Sequence, residues 1–392
     1  VARARTPALV LGLLFLVLAC GVGIWWYLHP QPGPLKLSRA AFSELDGWAT
    51  ANPQGALAAF QRSCATLAGK PDSEPMGTYG GTLADWRAPC AAAAKTDPAQ
   101  ARRFFEFWFQ PVAVSAGRVQ TGRFTGYFEP EIKGSRSKHG AYQVPVYAKP
   151  DDLVQVDLGA FRPTLQGERI AGRIDGAKLV PYPARADIEA HGLAAKILFY
   201  TDDPVELFFL HIQGSGRVTF DDGSTARVAY AAQNGQPYTA IGKTLIARGV
   251  PKNGMSLQVI RAWLKAHPAD AAAVMNTDAS YVFFSEEQLG DPQLGAKGAQ
   301  GVPLMPKASV AVDTRIHALG TPFFVAGPAP LGRVLIAQDI GGAIRGVVRG
   351  DVYFGYGEKA EEQAGTMNQP GRFFALLPKP VVERLARAGT LK

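Results

Sequence analysis

Between residues 280 and 377, short apolar runs follow one another with connections too short to place a helix between each pair. Tyr281-Val282-Phe283-Phe284, Ser309-Val310-Ala311-Val312, Thr321-Pro322-Phe323-Phe324-Val325 and Val334-Leu335-Ile336-Ala337 are rich in β-branched and aromatic residues and are separated by Gly-rich stretches. Neighbouring parallel strands need a crossover of a dozen or more residues, usually a helix. The spacing therefore predicts a compact barrel here rather than a parallel α/β sheet.

A similar texture runs from residue 119 to about 230. Gly122-Arg123-Phe124-Thr125-Gly126-Tyr127-Phe128 reads as a strand, and Asp221-Asp222-Gly223-Ser224 as the turn of a hairpin. This segment is expected to be a second small β-barrel or sandwich, with His211 and His317 read as strand residues rather than bases. Helices are expected over 238–248, 255–266 and 380–387 and through most of 42–112. Within the last, the aromatic cluster Phe104, Phe105, Phe107, Trp108 and Phe109 reads as a helix buried under a sheet. In a chain of 392 residues with 43 glycines and 29 prolines, this pattern predicts a mainly β, α+β protein of about two domains.

No charged residue occurs from Ala8 to Tyr27, which is about the length needed to cross a bilayer. Arg3 and Arg5 precede the run, Trp25, Trp26 and Tyr27 end it, and Pro30, Pro32 and Pro34 follow. The basic flank stays cytoplasmic, which places the body outside the cytoplasm. Residues 1–29 thus read as a signal or membrane anchor and 30–40 as a Pro-rich linker. Val17-Leu18-Ala19-Cys20 loosely resembles a lipoprotein box, so cleavage and lipidation at Cys20 compete with an uncleaved anchor. Outer-membrane attachment would follow the first, inner-membrane attachment the second. Cys64 and Cys90 fit one disulfide in an oxidising compartment, the alternative being two unrelated buried thiols. The net charge of +8 is not concentrated in any block, which argues against a nucleic-acid partner.

The stretch most suggestive of chemistry is Ala337-Gln338-Asp339-Ile340-Gly341-Gly342-Ala343-Ile344-Arg345-Gly346, followed by Gly350-Asp351-Val352-Tyr353-Phe354-Gly355-Tyr356-Gly357. Asp339 and Asp351 lie twelve positions apart across a Gly-rich loop, with Asp313 upstream. Three carboxyls converging on a partly apolar spot would have raised pKa values, as a proton donor near neutral pH requires. On spacing alone, the aspartates serve equally well as turn-formers or as partners of Arg315, Arg345 and Arg349.

Further segments carry a resemblance. Thr125-Gly126-Tyr127-Phe128-Glu129-Pro130, Leu179-Val180-Pro181-Tyr182-Pro183-Ala184-Arg185, Phe209-Leu210-His211-Ile212-Gln213-Gly214-Ser215-Gly216, Asn234-Gly235-Gln236-Pro237-Tyr238-Thr239-Ala240-Ile241-Gly242 and Gly298-Ala299-Gln300-Gly301-Val302-Pro303-Leu304 occur in order with the aspartate region. Together they resemble the membrane-bound lytic murein transglycosylase A family, with a C-terminal three-aspartate domain at about 308–372. The resemblance implies a double-psi-type barrel in a main domain (41–122 and 251–392), a second β-barrel inserted at 123–250, and a groove between them. It implies non-hydrolytic cleavage of the β-1,4 bond between N-acetylmuramic acid and N-acetylglucosamine, closing a 1,6-anhydro ring without metal or organic cofactor.

Under this resemblance Asp351 matches the catalytic acid and base, and Asp339 and Asp313 its supporting neighbours. Groove-lining roles are expected for Thr125, Gly126, Tyr127, Gln213, Gly214, Ser215, Asn234, Gly341 and Gly342, hydroxyls, amides and a ring being what sugars bind. For Tyr127 and Gln213 a structural role is an equal alternative. The expected partners are peptidoglycan strands and the membrane, with cell-wall synthesis or division complexes as candidates, and a monomer is expected. Two other readings remain: a murein-binding scaffold that does not cut, and a water-using glycosidase with Glu129 or Asp339 as second carboxylate.

Overall fold

The computed structural model describes residues 33–165 and 168–391. The apolar run and Cys20 lie outside them, and among the described residues no helix is long and apolar enough to cross a membrane. The chain enters on strand β1 (Leu35–Arg39), within the segment read as linker. Its five residues pair antiparallel with a later strand, so the linker reading is corrected over this stretch.

Helix α1 (Gln54–Leu67) follows because Leu57, Phe60, Cys64 and Leu67 recur at helical spacing and all four are buried. A disulfide joins Cys64 to Cys90 in α2 (Ala84–Ala93). Helix α3 (Ala101–Trp108) packs Phe104 and Phe105 against Phe60, while Phe107, read as part of the buried cluster, is 67% exposed. Phe109 starts strand β2 (Phe109–Ala116) rather than ending the helix, and β3 (Thr121–Glu129) follows after a turn.

Pro130 carries the chain out of the first barrel into an insert. Its strands are β4 (Glu131–Gly134), β5 (Val144–Tyr147), β6 (Val154–Asp157), β7 (Arg169–Asp175), β8 (Lys178–Pro181), β9 (Ile197–Thr201), β10 (Gly216–Phe220), β11 (Thr225–Gln233) and β12 (Val282–Glu287). The expected hairpin turn joins β10 to β11. Strands β12, β11, β10 and β4 form one sheet and β5 and β9 another; bridges from Ser135 to Tyr200 and from Ala148 to Phe284 close the two into a ring. Strands β6 to β8 make a separate three-stranded meander.

The insert also holds α4 (Arg185–His191), α5 (Pro204–Gln213), α6 (Gly242–Ala247), α7 (Leu257–Ala266) and α8 (Pro268–Met275). Helix α5 overturns the strand reading of His211. Asp203 caps its first turn, Pro204 opens it and Gly214 ends it in the left-handed conformation at φ 80°. Its Val205, Phe208 and Phe209 pack with Leu245, Leu264 and Val274 of α6 to α8, and β12 pairs with β11. The insert therefore runs to Glu287, past the expected boundary at 250.

Strands β13 (Ser309–Ala311), β14 (Pro322–Ala326), β15 (Arg333–Asp339), β16 (Arg349–Tyr356) and β17 (Asn368–Pro378) complete the first barrel, with α9 (Glu358–Thr366) and α10 (Lys379–Arg387). The ring runs β3-β16-β13-β15-β14-β17, and β17 closes it by pairing Asn368–Arg372 with β3. The second half of β17 continues past the barrel to pair with β2, which β1 extends. Phe323, Phe324, Ile336, Leu335, Phe374 and Leu376 are fully or almost fully buried, so this barrel is a packed core. His317 sits in the turn between β13 and β14, not in a strand.

Candidate active site

Ala311 of β13 is in register with Asp339 on its parallel neighbour β15 and with Asp351 on its antiparallel neighbour β16. Residues in register point to the same face of a sheet. The two aspartates therefore flank one small side chain, about 10 Å apart at the backbone on strand spacing. On the other side of β16, Thr125 of β3 is in register with Asp351, and Tyr127 with Tyr353. Alternation along β3 puts Thr125 and Tyr127 on one face, towards the aspartates.

Hydrogen bonds follow this placement. Thr125 Oγ1 donates to Asp351 Oδ1 at 2.5 Å, and Tyr127 Oη donates to Asp339 Oδ2 at 2.8 Å. The Ala299 amide donates to Asp339 Oδ1 at 2.9 Å. Tyr127, Ala311, Ile344, Tyr353 and Leu304 form a small apolar cluster beneath the pair. Burial raises the Asp351 carboxyl above its ordinary value, while the positive charges of Arg349 and Arg123 and the Thr125 hydrogen bond pull it back. Asp339 is likewise raised by burial, and further by the charge of Asp351, against the donors Ala299 and Tyr127.

Asp313 is placed differently. Its buried carboxylate takes Arg315 Nε at 2.9 Å on Oδ1, and Arg315 Nη2 at 2.7 Å with the Gly346 amide at 2.8 Å on Oδ2. Burial alone would raise it, but these donors hold its pKa below the usual range. It pins the Gly-rich loop to the β13–β14 turn and is not brought to Asp351, so its expected supporting role becomes one of loop anchorage.

Among the expected groove residues, Gln213 accepts the Phe128 amide at 3.0 Å, tying α5 to β3. Gly126 has no room for a side chain, since a Cβ would lie 2.6 Å from Phe354. Gly214 is the cap of α5, and Ser215 is buried. Asn234 is fully buried, its amide nitrogen on the carbonyls of Pro183 and Ala279 and its oxygen on the amides of Tyr281 and Gln236. A side chain so committed has nothing left for a sugar, and this corrects its expected role. Gly341 and Gly342 open the loop after β15, and Tyr238 of the insert lies over Gly342.

Tyr238 was missed as a site residue, although it stands in the stretch Asn234 to Gly242 that carries part of the family resemblance. Partial desolvation, with the charges of Asp278 and Asp351, pushes its phenol up to about 12, although 38% of the residue stays exposed. Arg349, two positions from Asp351 on the same strand, is one of the arginines that the sequence offers as partners for the aspartates; Arg123 was missed, because its position beside Asp351 depends on the parallel pairing of β16 with β3. A bridge from Glu168 to Arg315 at 3.3 Å adds a further contact between insert and first barrel. Glu129, the alternative second carboxylate, is fully buried at the crossing between barrels, between Arg217 and Arg227 at 3.3 Å each, with the Ala296 amide at 2.6 Å. Both its oxygens are committed to protein donors and shielded from solvent.

Residues 123–285 match the family described as the MltA specific insert domain, and residues 308–377 match the 3D domain. The curated membrane-bound lytic murein transglycosylase A of Escherichia coli K12 is 34% identical over 299 residues, which cover 72% of this chain and 73% of that protein. The chain belongs to the membrane-bound lytic murein transglycosylase A family. The Vibrio cholerae member is 32% identical over 69% of this chain and 70% of its own length. Among solved family structures, that of a membrane-bound lytic murein transglycosylase from Agrobacterium tumefaciens superposes with a TM-score of 0.79 at 31% identity, covering 89% of this chain and 99% of that one. The E. coli MltA structure with bound chitohexaose superposes at 0.62 and 28% identity over 88% and 95% of the two chains.

Proposed function

We propose that this chain is a peptidoglycan lytic transglycosylase, with Asp351 as its single acid and base. Protonated Asp351 gives its proton to the glycosidic oxygen as the bond to C1 of N-acetylmuramic acid breaks. The C6 hydroxyl of the same sugar then attacks C1, and its proton passes to the Asp351 carboxylate. The 1,6-anhydro ring forms, no water is consumed, and the acid is regenerated.

The observation that carries this reading is the asymmetry of the carboxyls. Asp351 accepts one protein donor on Oδ1 and, among the described residues, none on Oδ2. Asp339 is held on both oxygens, and Glu129 is sealed. A water-using glycosidase needs a second carboxylate facing the first, and the donors already on Asp339 and Glu129 argue against either in that role. A binder that does not cut has no use for a recessed carboxyl with a raised pKa. Thr125, Tyr127 and Asp339 would orient the sugar and Asp351, while Tyr238 and Gln213 would form the insert's side of the groove.

The family name and the apolar run over residues 8–27 support attachment to a membrane on its periplasmic face. Lipidation at Cys20 would direct the protein to the outer membrane, and retention of the run to the inner one. Mass spectrometry of the membrane-extracted protein separates the two. The catalytic reading is tested by digesting purified murein and weighing the muropeptides. Products one water lighter than those of a hydrolase are expected, and reducing-end products from the wild-type chain would overturn it.

A further inference from the structure

Resting on the assignment of Asp351 as the acid, we infer that Arg349 is a positioning residue that works through Thr125, locking a one-way hydrogen-bond chain that fixes which oxygen of Asp351 carries the transferable proton. Arg349 Nη2 donates to Thr125 Oγ1 at 2.8 Å, and Thr125 Oγ1 donates to Asp351 Oδ1 at 2.5 Å. A guanidinium has only donors. Thr125 must therefore accept from Arg349, and its own hydrogen is left for Oδ1. With a donor already on Oδ1, the proton that Asp351 transfers belongs on Oδ2, the oxygen without a protein partner.

The guanidinium is itself fixed. Its other amino group donates at 2.5 Å to the carbonyl of Gly350 and at 3.2 Å to that of Arg123, so backbone carbonyls near the starts of β16 and β3 orient it. Arg349 and Asp351 are two positions apart on one strand and therefore share a face. The device suits an acid that must also act as a base: burial favours the protonated form, and the nearby cation keeps the carboxylate within reach for the second half of the reaction. The other charged or titratable groups facing Asp351 are Arg123 and Tyr127 of β3, Asp339 of β15 and Tyr238 of the insert. Of these, Arg123 is exposed and bonded to Asn368, so solvent screens it.

The test is the pH profile of kcat/KM for the full-length chain on soluble murein glycan oligomers. Its basic limb reports loss of the Asp351 proton in the free enzyme. Arg349→Met should move that limb about one pH unit upward and lower kcat about tenfold, while Arg349→Lys, which keeps charge and donor, should return the limb towards the wild-type position. Thr125→Val breaks the chain in its middle without the arginine's backbone contacts, so it reads the same effect if Arg349→Met folds poorly. The double variant should shift the limb by less than the sum of the two single shifts, since each substitution already breaks the chain. A limb unmoved in Arg349→Met and Thr125→Val, with Asp351→Asn inactive, overturns the relay and leaves Asp351 as the acid. Activity retained in Asp351→Asn overturns the assignment on which the relay rests.

Discussion

Asp351 in the first barrel and Asn234 in the insert both sit within segments that resemble the family, yet their surroundings differ in kind. One oxygen of Asp351 takes a threonine hydroxyl and the other takes no protein donor, whereas all four contacts of Asn234 go to backbone groups of its own domain. The same contrast separates Arg349, aimed at the acid through Thr125, from Arg185, which is 1% exposed and binds the carbonyls of Asp278 and Ser280, the Nδ1 of His211 and the carboxylate of Glu189. Asn234 and Arg185 hold loops in place within the insert; Asp351 keeps one oxygen without a protein donor. A buried polar group with every partner in place is a structural member, and one left short of partners is available to a substrate.

The largest effect that would break this contrast is on Asp351. Replacing it with Asn should lower the release of anhydro-muropeptides on the order of 10³-fold, the scale of a positioned acid and base. Stability should rise at the same time. The folded pKa of Asp351 is raised, so its favourable contribution is complete only below the unfolded value and is lost as pH rises through the folded one. At neutral pH, above the unfolded value, burying the Asp351 carboxyl is therefore a cost that Asn removes. A melting temperature that falls in Asp351→Asn would place this residue with the structural group.

Arg185→Met tests the opposite side. It leaves two buried carbonyls and Glu189 without their cation, and an uncompensated buried group of this kind costs about 3–5 kcal/mol. Urea unfolding should register the loss, while the fraction that remains folded should keep its activity. Activity lost without loss of stability would move Arg185 into the site. Asp339→Asn falls between the two. It removes one charge-assisted hydrogen bond from Tyr127, about 1.5–3 kcal/mol, and should slow turnover about ten- to hundredfold with KM little changed.

Much of the first barrel was legible in the sequence because its strands are short runs of Val, Ile and Phe between glycines, and burial on both faces makes such runs continuous. Helix α5 was not. Val205, Leu207, Phe208, Phe209, Leu210 and His211 are all buried, so the helix is apolar on most sides and its period is invisible; Asp203 and Pro204 at its start and Gly214 at its end mark it. Helix α9 escaped for the opposite reason, since only Ala360 and Ala364 are buried in a charged segment. At the site, the Asp339 and Asp351 spacing nominated a pair but not their roles. Arg349 was read as one of several partners for an aspartate, and its link to Thr125 depends on a parallel pairing between strands more than two hundred residues apart. No local pattern carries that register.

The smallest effect concerns pH, and it sharpens the contrast between the aspartates and the buried histidines. Burial, followed by the charge of Arg185, holds His211 well below its ordinary value, and Arg185 donates to its Nδ1, so the folded state requires the neutral ring. His317, between the Tyr79 hydroxyl and the Val347 carbonyl, is lowered by burial to about 4. A histidine with a depressed folded pKa contributes stability above its unfolded value of about 6.5 and loses it as pH falls, at most about 1.4 kcal/mol per pH unit for each proton. The sign is opposite to that of Asp351 and Asp339, whose cost shrinks as acid protonates them. Urea unfolding between pH 7 and pH 5 reads the sum of these opposed contributions, and His211→Gln, whose amide oxygen can still accept from Arg185, should remove from the slope the acid-side loss of close to one proton. Equal slopes in the two proteins would mean that His211 is already charged in the fold, and Arg185 would then need a second anion besides Glu189 to hold it there.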